Sequence, residues 1–274
     1  MKIPEALVSA VAARKAILFA GAGLSCSLGL PLFDVLEAYL GKQLDLKDWN
    51  DYDFPILAEY FLLARQGTGR NELLRWMQEV WHPDGLDISR SRIHERIVKL
   101  NFPVIYTTNY DSWIECAFAA RGRAFRKVIG VSDLVERKPD EVEIIKFHGD
   151  FDDPDSIVLT ESSFLSRMSL EGPLDIRLRA DSLARPLLFV GYSLSDPNIR
   201  FLLFKLQELW EQHSEEKNKP PASYIVMVER NAVQERLLIQ RGVHPIVAEA
   251  DNATAALQMF FETLSDEVQA QSAG

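Results

Sequence analysis

Four short segments of this 274-residue chain carry residue types that could do chemistry, and each directly follows an apolar segment. They are Gly21-Ala22-Gly23-Leu24-Ser25, Asn109-Tyr110-Asp111, His148-Gly149-Asp150 and Gly191-Tyr192-Ser193. Glycines let a backbone come close to a phosphate, and the start of a helix offers free N–H groups to an anion. An imidazole can act as a base, and a neutral amide can orient a water molecule. These residue types predict a site that binds an anionic ligand and acts on it.

Each segment also has a purely structural explanation. Gly21 and Gly23 are compatible with a simple tight turn, because Cys26 stands where a full G-x-G-x-x-G motif has its third glycine. The Asn109-Tyr110-Asp111 segment is typical of a helix cap. A lone histidine after an apolar strand, such as His148, is more often a structural residue. The functional interpretation therefore depends on the four segments meeting in space.

The elements between these segments alternate between strand and helix. Runs of apolar and β-branched residues predict strands at 16–20, 104–108, 127–129, 143–147, 156–160, 186–190, 223–228 and 243–248. Helical spacing predicts helices at 3–15, 32–40, 91–100, 111–120, 198–212, 232–240 and 253–264, with two more between 161 and 183. This alternation predicts an α/β fold: a Rossmann-like parallel sheet with helices on both faces. In such a sheet the carboxyl ends of the strands share one edge, where the four segments can converge.

The domain organisation is predicted to be simple. We expect one domain over residues 1–274, with a helical insertion at about 45–100 and a frayed polar tail at 265–274. The aromatic residues of the insertion are expected to belong to the core.

Composition disfavours several classes of protein. The formal net charge of −10 disfavours direct binding of nucleic acid through phosphate contacts. The two cysteines, Cys26 and Cys116, cannot form a four-cysteine zinc site, and no other spacing supports a metal. The start of the chain lacks a signal-peptide pattern, and no apolar run is long enough to cross a bilayer. We expect a reduced cytoplasmic protein that contacts no membrane.

Taken together, the four segments resemble the sirtuin (silent information regulator) superfamily, and most closely its bacterial NAD-consuming branch that lacks the zinc module. Gly21–Ser25, followed by Gly29-Leu30-Pro31-Leu32-Phe33, is similar to the family's cofactor-binding loop. Thr107-Thr108-Asn109-Tyr110-Asp111 resembles its T-x-N-x-D motif, and Phe147-His148-Gly149 resembles the segment with its catalytic histidine. Gly191-Tyr192-Ser193 resembles its second phosphate and ribose loop. The resemblance covers about residues 14–205.

The resemblance implies a role for individual residues. It implies that Asn109 positions the nicotinamide ribose and a water, that Asp111 faces the nicotinamide carboxamide, and that His148 is the general base. An imidazole near its ordinary pKa of about 6.5 would suit that task. The resemblance also implies phosphate contacts from Gly21, Ala22, Gly23 and Ser25, and adenosine contacts from Gly191 and Ser193.

Two departures from the family pattern refine the expected activity. The chain cannot build the zinc module of the deacylases, and Asp34 follows Phe33 where the family usually has arginine. Both departures disfavour a histone-type deacylase. The resemblance therefore implies an NAD glycohydrolase that cleaves the nicotinamide–ribose bond, with NAD as substrate and without a metal.

The wider role is implied only by this resemblance and by chain length. The expected role is the effector of a bacterial anti-phage system, controlled by homo-oligomerisation or by a regulatory partner such as an ATPase or an Argonaute-like subunit. Two alternatives stay open at this point: a non-catalytic module that senses NAD or ADP-ribose, and a sirtuin-type ADP-ribosyltransferase.

Overall fold

The centre of the protein is a seven-stranded sheet whose strand pairings are all parallel in the part of the chain described. The computed structural model describes residues 1–135, 140–167, 171–192, 197–213 and 221–273. The strands lie in the order β3-β4-β2-β1-β5-β6-β7. Their bounds are β1 (Ile17–Ala20), β2 (Val104–Thr107), β3 (Phe125–Val128), β4 (Val142–Lys146), β5 (Leu187–Val190), β6 (Ser223–Met227) and β7 (Val243–Val247). The predicted Rossmann-like α/β fold is confirmed.

Twelve helices surround the described sheet. They are α1 (Glu5–Ala12), α2 (Ala22–Cys26), α3 (Phe33–Gln43), α4 (Phe54–Ala64), α5 (Gly69–Trp81), α6 (Arg92–Leu100), α7 (Trp113–Ala120), α8 (Glu161–Arg167), α9 (Pro173–Ala184), α10 (Pro197–His213), α11 (Ala232–Gln240) and α12 (Ala253–Ala273). Within the described ranges, none of these helices is both long enough and apolar enough to span a bilayer.

Alternating side chains of the strands build two separate cores. In β1, Ile17 and Phe19 join the cluster covered by α9, α10 and α11, whereas Leu18 and Ala20 join the cluster covered by α1, α3 to α7 and α12. This alternation follows from the two-residue period of a strand, and burial on both sides explains why β1 is apolar throughout. Helices therefore lie on both faces, as predicted.

Strand register brings four strand ends to the same level. Ala20 of β1 pairs with Thr107 of β2 and with Val190 of β5. Thr107 in turn pairs with Lys146 of β4. Strands β4, β2, β1 and β5 are neighbours, so the four polar segments leave the sheet side by side. Helix α2 packs on one face and α10 on the other, so β1 and β5 flank a topological switch point, where such sheets bind ligands.

The local structure differs from the predictions in three places. Helix α2 begins directly after β1, where the sequence predicts only a turn and a short loop. The strand predicted at 156–160 is wrong: a short 3-10 turn, Pro154–Ser156, precedes an extended segment that lies outside the sheet. The tail predicted to fray from residue 265 continues α12 to Ala273, because Leu264 and Ser265 are buried and Gln271 donates to Ser9 Oγ at 2.7 Å.

The core directly beneath the four strand ends is aromatic. The ring of Phe19 is fully buried, and its centroid lies 5.1 Å from that of Phe189, 5.7 Å from Tyr106 and 6.0 Å from Phe147. Each of these rings belongs to, or directly follows, a different strand. Phe19 therefore packs against residues from all the strands that carry the polar segments.

We predict that Phe19→Ala lowers the free energy of unfolding by about 3–5 kcal/mol, as expected for deletion of a buried aromatic ring. Urea denaturation measures the effect. Leu63→Ala is the control, because this α4 side chain is 67% exposed and its loss is expected to change stability by no more than about 0.5 kcal/mol. Equal effects of the two substitutions would contradict the assignment of Phe19 to the core.

Candidate functional site

The first and fourth polar segments are in direct contact. The Gly23 N–H donates to Gly191 O at 2.8 Å, and the Gly21 N–H donates to Val190 O at 2.8 Å. A Cβ added to Gly21 would lie 2.6 Å from Gly191 O, and one added to Gly23 would lie 2.7 Å from Gly191 Cα. Gly191 itself has φ +77°, which favours glycine. The glycines are therefore needed for the close approach of two loops, whatever ligand they hold.

The second polar segment is tied to the first through side chains. The Asn109 Nδ2 donates to Gly21 O at 3.1 Å and to Ser25 Oγ at 2.8 Å. Ser25 Oγ donates to Asp111 Oδ2 at 2.6 Å, and Asp111 Oδ1 accepts from the Trp113 N–H at 3.2 Å. Ser25, Asn109 and Asp111 are all buried. Asp111 thus accepts from the first N–H of α7 as well as being a member of the cluster.

Tyr192 is a member of this cluster that the sequence analysis did not single out. Its hydroxyl donates to Ala20 O at 2.9 Å and lies 3.1 Å from Thr108 Oγ1. Its ring packs against the place where Gly21 lacks a side chain. Tyr192 therefore bridges the ends of β1, β2 and β5. In the sequence, its role is indicated only by its position between Gly191 and Ser193 in the fourth polar segment.

His148 lies at the end of the next strand. It follows Lys146 of β4 by two residues, as Asn109 follows the paired Thr107 of β2, and the Phe147 N–H continues this ladder to Thr107 O at 2.8 Å. The strands of a sheet are about 4.8 Å apart, so His148 and Asn109 leave neighbouring strands at the same level.

The surroundings of His148 hold its ring neutral. The half-buried imidazole packs edge-on against Phe164, with ring centroids 5.2 Å apart. Burial, together with the positive charge of Arg167, lowers the pKa of His148 to about 3. This differs from the expectation of an ordinary pKa near 6.5, because the sequence does not reveal that α8 brings an arginine to this turn.

A second histidine, His82, stands behind the Asp111 turn. Its Nε2 accepts from the Ser112 N–H at 3.1 Å, and its ring stacks on Trp113 with centroids 5.7 Å apart. Burial lowers the pKa of His82. These contacts make it a structural residue that supports the start of α7.

The structure places most of the predicted site residues in one cluster. Direct contacts join Gly21, Gly23, Ser25, Asn109, Asp111 and Gly191. Ala22 lies between the two glycines in α2, and His148 lies on the neighbouring strand end. Ser193 falls outside the described residues. The ligand roles of all these residues stay predictions.

A parallel α/β sheet with a glycine-rich turn at its switch point is the architecture of a nucleotide-binding protein. A family model described as a SIR2-like domain matches residues 103–246. Since this match covers more than half of the chain, the protein belongs to the SIR2-like family. The resemblance predicted from the four motifs is thereby confirmed.

Individual relatives include bacterial proteins. The chain is 30% identical over 198 residues to "NAD(+) hydrolase ThsA" of Acinetobacter baumannii (strain 532279), which covers 72% of this chain and 40% of that protein. It is 28% identical over 203 residues to "Defense-associated sirtuin 2" of Bacillus subtilis, covering 71% of this chain and 19% of that protein. A solved structure described as a Sir2 homolog–NAD complex aligns over 98% of this chain and 95% of its own, at 14% identity and a TM-score of 0.49. The chain thus spans only about two fifths of the length of the first of these relatives.

We predict that Gly191→Ala destabilises the fold by more than the cost of a left-handed backbone alone. That cost is about 1–2 kcal/mol for a residue with a Cβ. Gly122→Ala measures this backbone cost alone, because Gly122 has φ +61° and a Cβ there would meet nothing within 4 Å. A Cβ on Gly191 would lie 2.9 Å from Gly21 O. Urea denaturation of both variants gives the difference, and equal losses would refute the close packing of the two loops.

Proposed function

We propose that this chain cleaves the nicotinamide–ribose bond of NAD, giving nicotinamide and ADP-ribose. One observation carries the proposal: the buried Asn109 amide is anchored to the glycine-rich loop while His148 ends the adjacent strand at the same level. A glycine-rich loop, an amide and a neutral imidazole thereby meet at one edge of the sheet. Relatives named NAD(+) hydrolase, aligned over 71–73% of this chain, support the same activity.

The substrate is held from both ends. The diphosphate of NAD lies along the backbone of Gly21, Ala22 and Gly23, and the adenosine half contacts the loop of Gly191 and Ser193. Ser25 supports the first loop through its hydrogen bonds with Asn109 and Asp111. The nicotinamide carboxamide faces the Asp111 region. The hydrogen bonds between the loops hold the binding residues in place before NAD arrives. This lowers the entropic cost of orienting the substrate.

Bond cleavage needs little acid assistance. The nicotinamide ring of NAD is cationic, so it leaves as a neutral molecule when the bond to ribose C1′ breaks. The resulting sugar resembles an oxocarbenium ion, as in other glycoside cleavage. A water molecule then adds to C1′, and its proton passes to the His148 imidazole before release to solvent. No metal takes part in this scheme.

Asn109 orients the attacking water in this scheme. Gly21 O can only accept a hydrogen bond, so the Asn109 nitrogen must face it, as the 3.1 Å contact requires. The amide oxygen Oδ1 is then the atom that can accept from a water or a ribose hydroxyl. Because the carbon attacked is strongly electrophilic, two neutral acceptors are sufficient to direct the water.

The biological role we propose is that of an effector in bacterial anti-phage defence. The relative named "Defense-associated sirtuin 2" supports this role. An enzyme that depletes NAD must stay inactive until it is needed, so we further propose control by homo-oligomerisation or by a regulatory partner such as an ATPase or an Argonaute-like subunit. NAD depletion of this kind acts in the cytoplasm.

We predict that His148→Ala and Asn109→Ala each reduce nicotinamide release from NAD by about 10²-fold or more, the usual contribution of a positioned acid–base group. The assay is performed on the protein alone and with the products of neighbouring genes, and circular dichroism checks the fold. His244→Ala, which removes an exposed histidine of β7, is expected to retain wild-type activity. Full cleavage by both site variants would contradict the assignment.

We predict that kcat at saturating NAD changes by less than about two-fold between pH 5.5 and 8. A base is active when neutral, and His148 with a pKa of about 3 is neutral over this whole range. A base with the ordinary pKa of about 6.5 would instead lose activity about ten-fold by pH 5.5. Arg167→Gln removes one cause of the low pKa and is expected to move the acid-side fall towards higher pH. A ten-fold fall in the wild type would show that His148 is not held neutral.

A further inference from the structure

Lys146 is a fully buried charged residue of β4, in which Glu143 is also charged and buried. Its side chain is 0% exposed at the carboxyl end of β4, two residues before His148. It points to the same face of the sheet as Ile144, beneath α7. Lysine is seldom fully buried without a specific partner, and none of the roles proposed above uses this one.

The ammonium group of Lys146 contacts both polar turns. It donates a hydrogen bond to the main-chain oxygen of Asp111, which belongs to the Asn109 turn. It also lies 3.2 Å from Asp150 Oδ2, which belongs to the His148 turn. Asp150 is held from the other side by Lys127 Nζ at 2.9 Å. One buried cation therefore joins the two turns that carry the proposed catalytic residues.

Glu115 of α7 is the third group at this cation. Its Oε1 lies 3.4 Å from Lys146 Nζ, and it forms an ion pair rather than a hydrogen bond with it. Burial raises the pKa of Glu115, while the nearby carboxylates outweigh burial and keep the pKa of Lys146 above its ordinary value. Glu115 thus balances the charge, whereas the directed hydrogen bond goes to the turn.

Charge balance alone is a poor reason for such a cluster. A buried ion pair often stabilises a fold no better than apolar residues of similar volume, because both charges lose their hydration. What an apolar side chain cannot do is hold the Asp111 carbonyl and the Asp150 carboxylate at fixed positions around one atom.

We propose that Lys146 is a positioning residue that fixes the Asn109 turn relative to the His148 turn. This inference rests on the proposed function of those two residues. Asn109 lies two residues before Asp111, and His148 lies two residues before Asp150, so Nζ restrains both through short stretches of backbone. A displacement of about 1 Å between two such groups is enough to lower a rate by about 10²-fold.

The test separates positioning from charge balance with four variants. Glu115→Gln removes the balancing carboxylate but keeps the bond from Lys146 to Asp111 O. Lys146→Met removes the cation and leaves the buried Glu115 carboxylate without its ion pair, so its Tm is expected to fall. The double variant Lys146→Met/Glu115→Gln is expected to regain part of that Tm. Lys146→Leu in the Glu115→Gln background is a second version of the double variant and carries the same expectation.

In the double variants we expect stability to recover in part while turnover stays low. Glu115→Gln retains kcat for nicotinamide release within about three-fold of wild type, whereas the double variants fall at least ten-fold below it while KM for NAD changes less than three-fold. A kcat in the double variants within three-fold of Glu115→Gln would overturn the proposal, because it would show that Lys146 only balances charge.

Amide hydrogen exchange provides a readout that does not need activity. At native pH, amides of residues 109–113 and 147–150 are expected to exchange at least ten-fold faster in the double variants than in Glu115→Gln, with the β-strand amides unchanged. Equal exchange in these two segments would overturn the proposal. If the wild type releases no nicotinamide under any condition, the proposed function fails, and hydrogen exchange still decides whether Lys146 holds the turns.

Discussion

The site depends on the parallel register of four neighbouring strands. Because Ala20 pairs with both Thr107 and Val190, and Thr107 pairs with Lys146, four chain segments leave the sheet at one level. A shift of one strand by a single residue would turn its side chains to the opposite face and separate the polar groups. Burial of both faces of the sheet makes such a shift costly. The register of the apolar core therefore sets the position of the polar site.

Much of this arrangement could be predicted from the sequence. The strand at β1 is apolar at every position because it is covered on both faces, and the alternation of strands with helices determines the parallel sheet. The polar turns stand out because each interrupts an apolar run. Their arrival at a common edge follows from the geometry of parallel strands, without knowledge of any side-chain contact.

Other features could not be predicted, for identifiable reasons. Helix α2 has only five residues, too short for a helical period to be visible in sequence. The segment at 156–160 has a β-branched, apolar composition, but it is buried by packing rather than by pairing in the sheet. The low pKa of His148 and the contacts of Lys146 depend on groups from α8, α7 and a neighbouring turn. Such long-range neighbours are set by tertiary structure and have no local pattern.

The central claim is that one dinucleotide site is formed by all four turns. The most direct measurement is a crystal structure of the protein with a non-hydrolysable NAD analogue. We expect the diphosphate to lie along the Gly21–Gly23 backbone and the nicotinamide ribose to lie between Asn109 and His148. An analogue bound elsewhere on the molecule, or one whose C1′ atom lies beyond the reach of both side chains, would contradict it.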